Sequence, residues 1–324
     1  MVRLGFSLGS LLSLDEIMEC TTILSQYNPD SIWVPETWGM ECCSTMSALS
    51  QIAKKPKIGS SIMNIYSRTP ALISMAAATL DTISNGRFIL GLGTSSQAIV
   101  DEWHGVEFNR PLARMKEYVE IIRLILSGNK VNYSGKFFQL SNFALLVKPT
   151  RNNIPIYLAA INQNMVELTW NIADGVIFYL RPLTELQSVI SKMQQKKKID
   201  VACQLITCVS EDKDEAIKRA KKTIAFYVSV GKIYREFLTR NGFERETCAI
   251  FDEYQKSGLK NNHVEVSDHM VDALSVCGTP LEVGEKIKRF VKAGVDLPII
   301  QFNPTGDVVK SFKLLVSALA SELI

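Results

Sequence analysis

The chain has 324 residues, 47% of them hydrophobic and 21% charged, with a formal net charge of +3 at pH 7. This is ample material for a large core and too little net charge to argue for a nucleic-acid partner; Lys196 to Lys198, the only dense basic run, reads as a solvated helix end. No apolar stretch approaches the roughly 18 residues that a membrane span requires, and no charged-then-apolar leader opens the chain, so a cytoplasmic protein with no membrane partner is expected.

Seven scattered cysteines without a CxxC pair suit buried free thiols better than a disulfide framework or a zinc site, and with His104, His263 and His269 as the only histidines no metal site is expected. Arg3 to Leu8 reads as the first strand, followed by a helix from Leu14, capped by Ser13, to Gln26. The second strand, Ser31 to Pro35, runs into Glu36, Thr37 and Trp38. Parallel barrels build their active sites at the carboxyl ends of strands. Glu36 therefore reads either as a charge or hydrogen-bond acceptor over a ring or as a helix N-terminal acid, and Trp38 either as a pocket wall or as loop packing.

A helix over Cys43 to Lys54 leads to a third strand, Lys57 to Met63. Thr69 caps a helix whose first position is Pro70 and which Gly86 closes with a left-handed turn, giving Pro70 to Ser84. The fourth strand, Arg87 to Gly93, puts Phe88, Leu90 and Leu92 on one side and Ile89, Gly91 and Gly93 on the other. Glycine inside a strand marks a close approach to the backbone. A flat ring or a phosphate at the strand's end fits, with Thr94, Ser95 and Ser96 supplying donors just past it; a tight turn is the other reading.

Gln97 to Trp103 reads as a short helix, and His104 in the loop after it as a titratable group facing substrate or as a structural histidine. The helix Pro111 to Leu126 carries core residues at helical spacing, and Tyr133 to Leu140 looks like an appended hairpin. The fifth strand, Ile154 to Ala159, passes through Ala160 and Asn162 into a helix from Gln163 to Ile172, whose N-terminus is a ready anion site. Gly175 to Tyr179 is the sixth strand, and Arg181 after it either meets an anion or pairs at the surface. Val201 to Val209 is the seventh, with a helix from Lys213 to Val228.

Residues 229–277 read as a helical insertion that shapes the substrate pocket. Thr279, Pro280 and Glu282 start a helix in a capping box that ends at Gly294. Leu297 to Phe302 is the eighth strand and Val308 to Ile324 the closing helix. Eight strand-helix units in parallel order give a single α/β domain over 1–324, a (β/α)8 TIM barrel with insertions.

The segment SRTPALISMAAATLDTISNGRFILGLGTSS and its continuation QAIVDEWHGVEFNRPLARMKEYVEIIR resemble the bacterial-luciferase-like superfamily. Within it they are most similar to the branch that uses the deazaflavin coenzyme F420 and includes methylenetetrahydromethanopterin reductase. The resemblance covers about residues 2–180 and returns in 278–324. It implies a luciferase-like barrel, a hydride transfer between coenzyme F420 (FMN is the alternative) and a small-molecule acceptor such as a pterin-linked one-carbon unit, and a homodimer.

It further implies a non-proline cis peptide at Ser61–Ile62 behind the ring. The cofactor contacts it implies are Trp38, Ser60, Ser61, Ile62, Asn64, Gly93, Thr94, Ser95, Ala159, Ala160, Asn162 and Arg181, with the phosphate tail near Asn162. Glu36 or His104 is expected to manage the balancing proton. Two positions depart from the branch: Glu36 and Thr37 stand where it commonly has aspartate and histidine, and Phe6 and Ser7 where the methylene reductases carry acids. An FMN-dependent monooxygenase and a non-catalytic flavin-binding barrel are the other readings.

Overall fold

The computed structural model describes residues 2–9, 11–151 and 153–320; the end of the closing helix expected at Ile324 lies outside them. Eight parallel strands close the barrel: β1 (Gly5–Ser7), β2 (Ser31–Val34), β3 (Lys57–Ser60), β5 (Phe88–Gly93), β8 (Ile156–Ala159), β9 (Gly175–Tyr179), β10 (Asp200–Val209) and β12 (Leu297–Phe302). They run in the order β10, β12, β1, β2, β3, β5, β8, β9, and the ring closes where β9 pairs β10. The two-residue β4 (Met63–Asn64) continues β3 against β5, and β6 (Val131–Ser134) with β7 (Gln139–Phe143) forms the appended hairpin. Among the described residues no helix is long and apolar enough to cross a membrane.

One strand was not expected. β11 (Ser275–Gly278) lies inside the stretch read as an insertion and pairs with β10 over Ile206 to Val209. On that same edge β10 first pairs β9 over Asp200 to Gln204. The chain leaves β9 through Leu180 at φ +51, so the upper half of β10 would present an open edge without β11. The rest of 229–277 is helical, in helices Lys232–Leu238, Glu244–Ser257 and Asp268–Leu274, packed on one apolar cluster with helix Lys213–Val230.

Inside the barrel Trp33, Ile89, Tyr157, Ile177, Ala202, Leu297 and Ile299 form one packed layer. Gly5 and Gly59 make room for the Trp33 indole: a Cβ on either would lie 2.8 or 2.6 Å from it. At the amino end of the strands Arg3 forms two 2.9 Å hydrogen bonds to Asp200 and one of 3.1 Å to Asp30, and the Tyr157 hydroxyl donates to Asp200. This floor seals one end, leaving the carboxyl ends of the strands as the open mouth.

Candidate active site

The mouth is shaped by an interruption between β3 and β5. The register runs Gly59 to Ile89 and resumes at Met63 to Leu92, so three residues on one strand face two on the other. The extra residue is a bulge. The peptide bond Ser61–Ile62 within it is cis, and the Ser61 N–H donates to the Val34 carbonyl at 2.9 Å. Ser60 bridges the gap: its hydroxyl donates to the Gly91 carbonyl at 2.8 Å and accepts from the Gly91 N–H at 2.9 Å.

Ser60 is thus fully buried with its hydrogen bonds spent on β5, and its side chain gives a cofactor no contact. The glycines of β5 are explained by the same bulge. A Cβ on Gly91 would stand 1.9 Å from the Ser60 carbonyl oxygen, and one on Gly93 would stand 2.5 Å from the Ile62 side chain. The close approach foreseen from these glycines is present, with Ser60 and Ile62 of the neighbouring strand as the crowding groups.

Ile62 turns inward, half-buried, onto the barrel's interior layer, and beside it stand Gly93 and half-buried Ala159. Two polar groups in this wall are buried without partners: the Ser61 hydroxyl and the Asn64 amide nitrogen. The Asn64 carbonyl is used locally, accepting from the Tyr66 N–H at 2.9 Å. Thr94 and Ser95 are half-buried at the rim, Ser95 at φ +58. Buried non-polar surface next to unpartnered donors is what a flat, polar-edged ligand needs.

Trp38 and Trp103, each 55% exposed, meet edge to face at 5.4 Å, and Trp38 also meets Phe226 at 5.8 Å. The row continues through Tyr227 to Tyr179 at 5.4 and 5.0 Å. It therefore joins the loops after β2 and β5, the helix after β10 and the end of β9.

Beyond β8, Ala160 is buried, and Asn162 caps the next helix by accepting from the Met165 N–H at 2.9 Å. Arg181 is buried, its guanidinium between the Phe178 and Phe237 rings at 4.6 and 4.7 Å. One nitrogen bonds Glu185 at 2.5 Å, another donates to the Ile161 carbonyl, and Nε has no partner. Asn162, Gln163, Arg181, Glu185, Phe237 and Arg240 surround one recess.

The sequence model of the luciferase-like monooxygenases matches residues 3–297. This chain belongs to that family. A 5,10-methylenetetrahydromethanopterin reductase of Archaeoglobus fulgidus is 28% identical to it over 94% of this chain and 91% of the relative. Among solved structures, the coenzyme F420-dependent tetrahydromethanopterin reductase of Methanopyrus kandleri superposes with a TM-score of 0.88 at 23% identity, covering 100% of this chain and 99% of the other. An F420-dependent secondary alcohol dehydrogenase holding an F420-acetone adduct superposes with a TM-score of 0.77 at 18% identity, covering 98% and 99%. At these identities the superpositions establish the luciferase-like barrel itself.

On this luciferase-like frame Glu36 is not a free carboxylate. Arg68 grips both of its oxygens at 2.5 and 2.7 Å and reaches Glu41 at 2.5 Å, while the Cys42 N–H adds a bond of 3.3 Å to Glu36. The hydrogen bonds to Glu36 outweigh the burial that opposes its charge and hold the Arg68 guanidinium protonated. His104 is exposed just past the short helix expected over Gln97 to Trp103, which is present and widens into a π-turn over Ile99–Trp103.

Glu41, Cys42 and Cys43 bring three ligand-type atoms within 4.8 Å of one another, but Glu41 is already committed to Arg68 and to the Cys43 and Ser44 N–H groups. Sequence reasoning passed over Arg68, Phe226, Tyr179 and Gln301. Arg68 stands inside the most telling motif of the chain, directly before the Thr69 cap. Nothing in the sequence says that it will meet a carboxylate 32 residues away.

Proposed function

We propose that the chain is an oxidoreductase that binds coenzyme F420 at the barrel mouth and transfers a hydride between it and a small organic acceptor, with a methylene-pterin as the first candidate. The observation that carries this reading is the wall built from Ser61, Ile62 and Asn64. It offers an apolar, half-buried surface with two buried, unpartnered polar groups, and it fits a flat ring with a hydrogen-bonding edge. The relatives' names support the choice of a deazaflavin.

When bound, the reduced deazaflavin supplies the hydride. Ile62 backs the ring, Ser61 and Asn64 hydrogen-bond it, and Gly93, Thr94, Ser95 and Ala159 line its near side. Trp38 closes the rim. The helix start at Asn162 and the free Nε of Arg181 take the phosphate side. Glu185 already balances the Arg181 charge, so that contact is a hydrogen bond more than an added positive charge.

Glu36 and Arg68 fix the loop that carries Trp38, and His104 stands exposed at the rim. Hydride addition to an iminium-type one-carbon unit gives a neutral amine; the nitrogen released when the methylene bridge opens to that iminium takes up one proton, and the reduced deazaflavin gives one up as it loses the hydride.

Side-by-side titration of the purified protein with coenzyme F420 and FMN, followed by cofactor fluorescence, tests the reading. At least tenfold tighter binding of coenzyme F420 is expected. The reverse preference points to the oxygen-using monooxygenase, and binding of neither overturns both.

A further inference from the structure

The barrel wall opposite the bulge carries polar side chains that the reading above has not used. Counting around the ring, β10 stands four strands from β3 in either direction, and β9 and β12 flank it. Tyr179 ends the inward row of β9 that includes Ile177, and Gln301 continues the inward row of β12 that includes Leu297 and Ile299. Their polar atoms are buried. The Tyr179 hydroxyl lies close to Tyr227 and Gln301, but neither it nor the Gln301 side-chain carbonyl has a hydrogen-bond partner of good geometry.

Tyr227 and Tyr234 hold the Tyr179 ring edge-on at 5.0 and 5.7 Å. Burial, reinforced by these neighbours, pushes the phenol well above its ordinary value, so it stays a donor at every working pH. A buried donor beside a buried acceptor, facing a ligand mouth, calls for a partner that carries the complementary pair.

We infer that Tyr179 and Gln301 are specificity residues that hold the acceptor by a lactam edge, Tyr179 donating to the ring carbonyl and Gln301 Oε1 accepting from the adjacent ring N–H. This rests on the proposed function, which sets the cofactor ring against β3 and leaves the opposite wall to the acceptor. The ligand class is a flat heterocycle with a cyclic amide. A simple ketone or alcohol satisfies only one of the two groups, and a site built for hydrogen bonds discriminates strongly against an analogue that leaves one unpaired.

The test is calorimetric titration of wild type, Tyr179→Phe and Gln301→Leu with 6-methylpterin and its N3-methyl derivative, with and without saturating coenzyme F420. Wild type is expected to bind 6-methylpterin at least tenfold more tightly than the N3-methyl probe. Each variant is expected to lose most of that preference while its affinity for coenzyme F420 stays within twofold of wild type. Equal affinity of wild type for the two probes, or full preference retained in both variants, overturns the inference.

Parallel loss of coenzyme F420 binding in a variant also overturns it, by giving the pair to the cofactor. A wild type that binds no coenzyme F420 overturns the hydride-transfer reading instead. The probe titration on the free protein then still decides whether the lactam edge is read.

Discussion

Arg68 does more for the mouth than any residue picked out in advance. It joins Glu36 at the end of β2 to Glu41 at the start of the next helix, with its own side chain only 14% exposed. Arg68→Met leaves the Glu36 carboxylate, 15% exposed, without its counter-ion. A loss of about 2 to 4 kcal/mol in urea unfolding is expected, together with weaker cofactor binding as the Trp38 loop loosens. Arg68→Lys is expected to recover only part of either, because one ammonium cannot grip a carboxylate with two parallel bonds while reaching another.

Glu41 adds a pH signature. Burial opposes its charge, but hydrogen bonds from the Ser44 and Cys43 N–H groups prevail and bring its carboxyl down from 4.5 to about 2. A depressed carboxyl stabilises the fold above its unfolded value, and that contribution disappears as pH falls from about 4.5 to about 2. The urea midpoint of Glu41→Gln is therefore expected to fall less steeply than that of wild type across this window. With its side chain 44% exposed the difference is modest. Trp38 is singled out in the sequence by its place after the second strand and Ser61 by the family resemblance, whereas pairings set by tertiary contact, such as Glu36 with Arg68, are not legible there.

The bulge between β3 and β5 is where sequence and structure diverge most usefully. Lys57 to Met63 reads as one apolar strand because its pattern is continuous, yet ladder pairing stops after Gly59 and resumes at Met63. The strand glycines signalled crowding without saying what crowds them. The two differ in consequence. A methyl at Gly91 meets a backbone carbonyl that cannot move, whereas one at Gly93 meets the end of the Ile62 side chain, which can.

Gly91→Ala is expected to destabilise the protein by about 3 kcal/mol or more, or to prevent soluble expression. Gly93→Ala should fold with a melting temperature near wild type while displacing Ile62 into the mouth and weakening cofactor binding about tenfold or more. Equal stability losses in the two variants would contradict this account of the bulge. Ser60→Ala, which strands the Gly91 N–H and carbonyl, is expected to cost about 1 to 3 kcal/mol.

Across the whole molecule the two ends of the barrel have separate duties. The eight barrel strands were legible because each is a short apolar run followed by a helix. β11 was not, since Ser275 to Gly278 is too short and too near the Thr279 cap to stand out, and only the length of β10 calls for it.

The floor of Arg3, Asp30, Asp200 and Tyr157 lies at the amino ends of the strands, whereas Ser61, Asn64, Tyr179 and Gln301 lie at the carboxyl ends. Asp200→Asn removes the charge that Arg3 and Tyr157 share. Arg3 is 38% exposed, so water takes over part of the lost interaction. A loss of about 2 kcal/mol, or about 3 °C in melting temperature, is expected rather than the larger cost of a fully buried pair. Affinity for coenzyme F420 should be unchanged within twofold, because the packed layer from Trp33 to Ile299 stands between floor and mouth. A variant that melts near wild type but binds the cofactor poorly would mean that this layer transmits strain from one end of the barrel to the other, and that the floor positions the site as well as sealing it.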